Sequence, residues 1–333
     1  MKKPFFLAFL LFISIIFVIR CHPSGQNSPE PEPSANKGRE SAILVKQVSS
    51  IFGVIPEQMA GTDEDTEELV RLGEKLYFEK KLSDNGKESC NSCHTVDNKK
   101  GGVDNLSVSE GKACKRSKRN TPTVLNAGYQ FAQFWDGRAV TLEEQLKGHM
   151  AYPSKKLKEK LSKEYKDLFK KAFPKDDKPF TVANVNRAIA SYERTLKTSD
   201  RFDEFIKGNH NALTDEQQKG LELFISSGCI TCHAGPLLGG NMYQKIGIKK
   251  PYENTADSGR YEITKDKADK FIFKVPMLRN IAITAPYYHD GKIKTIEDAV
   301  KKMGTLQLGK DFSDSETGFI VSFFKSLTDT KRM

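Results

Sequence analysis

The motif CNSCH at Cys90-Asn91-Ser92-Cys93-His94 returns as CITCH at Cys229-Ile230-Thr231-Cys232-His233, and this repetition constrains the fold more than any other feature. In C-x-x-C-H the two thiols add across the vinyl groups of a haem as thioethers, and the adjacent histidine supplies a nitrogen to the iron. Each motif must therefore sit on the wall of a pocket that encloses a flat macrocycle. A zinc site is the ordinary alternative for paired C-x-x-C motifs. It explains neither the histidine after each pair nor the helical patterns around them. Cys90, Cys93, His94, Cys229, Cys232 and His233 are the cofactor-binding residues on this reading, with His94 and His233 as the iron ligands.

The flanks repeat as well. Gly73-Glu74-Lys75-Leu76-Tyr77 lies on a helix expected to start near Thr66. Gly220-Leu221-Glu222-Leu223-Phe224 lies on one expected to start near Thr214, with Gln217 at capping-box spacing. Both read G-x-x-L-aromatic. Downstream, Ile189 to Leu196 matches Ile320 to Leu327, each on an amphipathic helical pattern. Each half is helix, haem motif, long insertion and closing helix, the order of a small cytochrome c domain. The expected fold is mostly α, with two cytochrome c-like domains, each holding one covalently bound haem c. Residues 45–197 form the first and 198–333 the second.

The start of the chain, MKKPFFLAFLLFISIIFVIRC, carries two lysines and an apolar run from Phe5 to Ile19, the pattern of a secretory signal spanning residues 1–21. Residues 22–44 begin with a proline- and serine-rich stretch and read as a flexible tether. This layout resembles a bacterial lipoprotein, with Cys21 as the lipid-bearing residue. Arg20 departs from the small residue usual before that cysteine, and ordinary signal cleavage nearby is the alternative. Either way the expected location is the periplasm, free or anchored to the membrane. The formal charge of +10 falls to 10 − 3 = +7 once Lys2, Lys3 and Arg20 leave with the signal, a balance that steers acidic partners. The lysine-rich PSKKLKEKLSKEYKDLFKKAFPKDDK alternates with acids and apolar residues at helical spacing and reads as a solvated helix face. No glycine-rich phosphate loop or aromatic-interleaved basic motif is present, so nucleic acid is not an expected partner.

The two halves differ in what they offer the far side of the iron. The second contains Met242, Met277 and Met303; Met303, in a glycine-containing loop just before the closing helix, is the expected axial ligand, and the other two read as packing residues. Methionine ligation raises the reduction potential and suits an electron acceptor. The matching stretch of the first half, Ala151 to Ala188, has neither histidine nor methionine, which leaves a face where peroxide can bind. Trp135, the only tryptophan, lies between the two motifs and reads either as core or as a ring on the route between haems.

The segments LGEKLYFEKKLS, CNSCHTVDNKKGGVDNLSVS, RNTPTVLNAGYQFAQFWDGRAVTLEEQLKG, SGCITCHAGPLLGG and VPMLRNIAITAPYYHDGKIKTIEDAVKKMGTLQLGK together resemble the bacterial di-haem cytochrome c peroxidase family over nearly the whole mature chain. The resemblance implies reduction of hydrogen peroxide to water, with electrons from a small cytochrome c or cupredoxin passing through a high-potential C-terminal haem to the N-terminal haem. It also implies that Trp135 lies between the haems, that Gln145 lies in the distal pocket, and that Asn120 with the carbonyls of Thr284 and Pro286 holds calcium; family members are commonly homodimers. Two positions depart from the family pattern. The loop SVSEGKACKRSKRN is two residues longer than in relatives that carry a distal histidine there, and Glu110 falls at the histidine position. The family's catalytic glutamate falls on Lys155. Glu110, Lys112 or Cys114 then stands as an alternative sixth ligand of the first haem, and His149, four residues after Gln145, as a proton carrier. The competing functions are a di-haem oxidase that modifies a partner protein and a non-catalytic electron carrier or redox sensor.

Overall fold

The structure, a computed structural model, describes residues 33–96, 99–110, 118–147, 157, 159, 161 and 164–332. Helices dominate, and the only strands among the described residues are a short antiparallel pair, Tyr243–Lys245 against Ile272–Lys274, with Tyr243 opposite Lys274. The buried apolar side chains form two cores.

The first core is built where the helix Glu67–Tyr77 crosses the helix Val182–Arg194. The Thr66 hydroxyl caps the first of these by accepting from the Leu69 N–H at 3.2 Å, and Leu69, Leu72, Gly73, Leu76 and Tyr77 form its buried stripe. Thr181 caps the second helix in the same way through Asn184. At the crossing a side chain at Gly73 would overlap the carbonyl oxygen of Ala188, so only glycine lets the two backbones approach this closely. The second core repeats the arrangement. The helix Asp215–Ser226 starts at the expected capping box of Thr214 and Gln217 and crosses the helix Asp314–Ser326, which has its own box of Ser313 and Glu316. There Gly220 lies against the carbonyl of Phe319. The duplicated sequence pattern is thus a duplicated helix crossing.

In the lysine-rich stretch, the helix Glu164–Ala172 buries Tyr165 and Phe169 and exposes Lys166, Lys170 and Lys171, the expected solvated face. The N-terminal segment departs from expectation. Residues 33–44, taken as part of the flexible tether, belong to a helix that runs from Pro33 to Ile51. The reason is a stripe at four-residue spacing: Leu44, Val48 and Phe52 are buried in the second core, not the first. Phe52 packs edge-on against Phe202 at 5.4 Å, and the Ser49 hydroxyl donates to the Ile206 carbonyl at 3.2 Å. Residues 45–52, assigned to the first domain from the sequence, therefore pack with the second. The signal segment and Cys21 lie outside the described residues.

Gly73→Ala is expected to destabilise the protein by roughly 2–4 kcal/mol, because the two helices must separate to admit the methyl group. Chemical denaturation of the purified variant checks this; a midpoint equal to wild type would contradict the close-crossing account.

Candidate functional site

The second motif opens on Gly228, whose φ of +90° suits glycine, and continues as a single turn over Cys229–Thr231. His233 follows with its Nδ1 at 2.9 Å from the Leu238 carbonyl oxygen. Burial lowers its pKa, so the ring is neutral, its Nδ1–H donates to that carbonyl and its Nε2 lone pair remains for a metal. Gly239, at φ +126°, keeps the backbone beside this ring, since a side chain there would overlap the Pro276 carbonyl. Met303 ends the helix Ile296–Met303, and the chain then passes through a wide turn over Gly304–Leu308. Cys229, Cys232, His233, Met277, Met303 and Trp135 all line one cavity of about 310 Å³. Met242 is not among its lining residues. Its carbonyl accepts the Val275 N–H.

These residues fit a haem better than a zinc ion. None of the four motif cysteines is paired in a disulfide, so all four are available for thioether attachment. Burial pushes Cys229 up to about 11 and Cys90 up to about 12, as expected of thiols set into an apolar pocket wall. Among the described residues no three His, Cys, Asp or Glu side chains converge as a metal cluster. A buried cation adds to the fit. Lys274, at the end of the strand Ile272–Lys274, lines the cavity, and its ammonium donates to the side-chain oxygen of Gln130. Burial pulls its pKa down to about 8. An ammonium whose described partner is a neutral amide suits an anionic group in the cavity, such as a haem propionate. Arg279 lines the same wall, but its guanidinium is engaged by Asp200 at 2.6 Å and Asp203 at 2.9 Å. The sequence reading missed both residues. A lone lysine inside the apolar run FIFKVPML was the available signal.

Trp135 is fixed at both ends of its own residue. Its indole N–H donates to the Asn120 carbonyl at 2.8 Å, and its backbone carbonyl accepts the Lys274 N–H at 2.7 Å. Asn120, Thr284 and Pro286 also line this cavity, so the sequence-predicted calcium residues come together beside the tryptophan. The Asn120 amide donates to the carbonyls of Leu106 and Ser107 at 3.0 and 3.3 Å, which leaves its oxygen as an acceptor. No described hydrogen bond reaches the carbonyls of Thr284 or Pro286, as a site for a hard cation requires. Arg119 closes the junction by binding Asp257 through two nitrogens, at 2.6 and 2.7 Å, and Asp136 at 2.6 Å.

The first motif forms the single helical turn Cys90–Cys93, with Ser89 and Ser92 as a capping box. The Tyr77 hydroxyl donates to the His94 carbonyl at 2.6 Å. Gln145 lies half-buried on the helix Leu142–Lys147. That helix is pinned to the closing helix by Glu143, 2.7 Å from Arg194, which in turn binds Asp65 at 2.6 Å. Beside this network is Glu193, a buried carboxyl whose charge bears on both Cys90 and Tyr77. Glu110 is exposed. Lys112, Cys114, His149 and Lys155 lie outside the described residues.

The family profile described as di-haem cytochrome c peroxidase matches residues 67–211. The chain is 43% identical over 271 residues to the cytochrome c551 peroxidase of Nitrosomonas europaea, covering 78% of this chain and 80% of that one. It is 42% identical over 304 residues to the cytochrome c551 peroxidase of Pseudomonas aeruginosa, covering 87% of each. Among solved structures, a MauG-like protein associated with microbial copper homeostasis superposes with a TM-score of 0.74 at 26% identity, covering 84% of this chain and 94% of that one.

Burial, with a smaller push from Glu143 and an opposing pull from Arg194, raises Glu193 from 4.5 to about 8. Its contribution to stability is thus complete below about pH 4.5 and is lost as pH rises toward 8. Glu193→Gln is expected to remove this loss, so wild type should weaken against the variant by up to a few kcal/mol between about pH 5 and 8. Thermal melts of both proteins across that range check it; parallel curves would contradict it.

Proposed function

The chain belongs to the di-haem cytochrome c peroxidase family, oxidoreductases that act on peroxide, and from that membership we propose that it reduces hydrogen peroxide to water at the His94 site with electrons taken up at the His233 site. The observation that carries this division of labour is that His233, Met303 and Trp135 all line one cavity. Haem c, attached through Cys90 and Cys93 and through Cys229 and Cys232, supplies the iron at which electrons arrive and the O–O bond is broken. His233 and Met303 hold the electron-accepting iron, and methionine keeps its potential high. Trp135, anchored by Asn120 and Lys274, bridges toward the first site. Calcium on Asn120, Thr284 and Pro286 would stiffen that bridge, because the Asn120 carbonyl is the one that holds the indole.

At the first site His94 holds the iron, and Gln145 is the amide that orients bound peroxide. Cleavage needs a proton moved from the near oxygen to the far one, which an amide cannot carry; His149 is the proposed carrier. The altered loop from Glu110 to Arg119 offers no imidazole, which supports an open sixth position on this iron. The apolar run from Phe5 to Ile19 supports export to the periplasm.

The donor's chemistry is suggested by the rim of the second cavity. Ile248 lines that cavity and is 51% exposed. Around it stand the exposed Lys245, Lys249, Lys250 and Lys310. The rim is held by the Ile248 N–H, which donates to the Gln307 side chain at 3.1 Å, and by the Gln307 amide, which donates to the Lys245 carbonyl at 3.0 Å. Among the described residues none of these four lysines has a carboxylate in ion-pair range, whereas Lys301 and Lys302 are paired with Asp314 and Glu253. An apolar opening ringed by unneutralised ammonium groups fits a small acidic electron carrier.

Steady-state oxidation of a reduced acidic cytochrome by peroxide tests the proposal. Turnover is expected, falling as salt is added, and Lys249→Glu with Lys250→Glu should lower kcat/KM for the donor about tenfold with kcat nearly unchanged. No peroxide consumption with any reduced donor would overturn the peroxidase reading, and turnover indifferent to salt and to charge reversal would overturn the docking surface.

A further inference from the structure

The two halves share one packing scheme and differ within it at two aromatic positions. In the first, Tyr77 leans on Tyr192 with ring centroids 5.1 Å apart at 59°. In the second, Phe224 leans on Phe323 at 5.6 Å and 56°. The positions correspond, because a side chain at Gly73 would meet Tyr192 just as one at Gly220 would meet Phe323. The second half shows that packing at this crossing does not require hydroxyl groups. The half that carries the His94 site has two of them.

Their placement suits electron transfer. Tyr77 is fully buried, and its hydroxyl donates to the backbone carbonyl of His94 at 2.6 Å, so a short hydrogen-bonded path joins the ring to the proposed iron ligand. Tyr192 keeps 9% exposure. Phe78 lies 5.4 Å from the Tyr77 ring and 6.3 Å from the Tyr192 ring and is 38% exposed, so the aromatic cluster runs from His94 to the surface. A phenol is oxidised far more readily than a benzene ring, and its radical is stable once the proton has gone.

We propose that Tyr192 is a reserve one-electron donor to the His94 site, acting across Tyr77, and that it discharges oxidising equivalents when peroxide arrives with no electron waiting at the second site. The proposal rests on the peroxidase reading. Breaking the O–O bond takes two electrons: one oxygen leaves as water with both of the peroxide's protons, and the other stays at the His94 site until a donor reduces it to a second water. Without a donor, one of the two electrons comes from the haem iron and the other from Tyr192, whose O–H bond breaks, releasing its proton to solvent and leaving a neutral tyrosyl radical. Tyr77 is a positioning residue on the path and not the resting place of the radical, because its hydroxyl faces a carbonyl, which does not take up a proton.

The test is to mix fully oxidised holoprotein with one equivalent of peroxide and no donor, freeze it, and record the electron paramagnetic resonance spectrum of wild type, Tyr192→Phe and Tyr77→Phe. A tyrosyl radical is expected in wild type, absent from Tyr192→Phe and several-fold weaker in Tyr77→Phe. Excess peroxide should bleach the Soret band several-fold faster in Tyr192→Phe than in wild type, while turnover with a reduced donor stays unchanged. Phe224 and Phe323 already show that a phenylalanine pair fits this packing, and equal melting temperatures verify the fold of the variants. Donor-supported turnover without a wild-type radical, or with a radical and a bleaching rate that survive Tyr192→Phe, overturns this inference alone. Absence of turnover with a donor overturns the peroxidase reading and the inference with it.

Discussion

Everything in this protein depends on how closely two helices cross. In each half the helix before the C-x-x-C-H motif meets the closing helix at a glycine, Gly73 against Ala188 and Gly220 against Phe319. The side chains around each crossing form the floor on which the C-x-x-C-H turn rests. Tyr77 at the first crossing reaches the carbonyl of His94, and Phe224 at the second has its ring centroid 6.4 Å from that of His233. The contact that folds each domain therefore also aims its histidine. A pocket for a rigid, flat cofactor needs such a floor, because the ligand geometry must be fixed before the cofactor is seated.

On this shared floor the two halves have diverged in polarity. The second sets neutral His233 and Met303 in the lining of one largely apolar cavity that also holds the buried ammonium of Lys274. The first surrounds its motif with protic groups, Tyr77, Tyr192 and the buried carboxyl of Glu193, where the second half has Phe224, Phe323 and Phe324. On the proposed division of labour, the electron-accepting second site gains from groups that neither ionise nor oxidise. A site that breaks O–O bonds must move protons and withstand its own oxidant, and polar neighbours serve both needs.

Much of this was legible in the sequence, and what was hidden has a physical reason. The paired C-x-x-C-H motifs, the G-x-x-L-aromatic helices, the capping box of Thr214 with Gln217 and the position of Met303 are local patterns whose chemistry depends on spacing along the chain, and spacing is what a sequence displays. The residues that were missed act across the fold. Leu44, Val48 and Phe52 form a helical stripe, but nothing local reveals that they pack with Phe202 and not with the nearer first domain. Arg119 gains its meaning from Asp257, on the far side of the chain, and Lys274 from its contact with Gln130. Trp135 stood out as the only tryptophan of the sequence, while its anchors at Asn120 and Lys274 emerge only once the two halves are assembled.

The central claim is that one duplicated scaffold holds two irons with separate tasks, and that Met303 sets the task of the second. Potentiometric titration of both haems in wild type and in Met303→His tests it most directly. Two well-separated midpoints are expected in wild type, with only the higher one falling in the variant, because imidazole stabilises ferric iron more than a thioether does. A single shared midpoint, or a variant in which the higher potential is unmoved, would contradict the account.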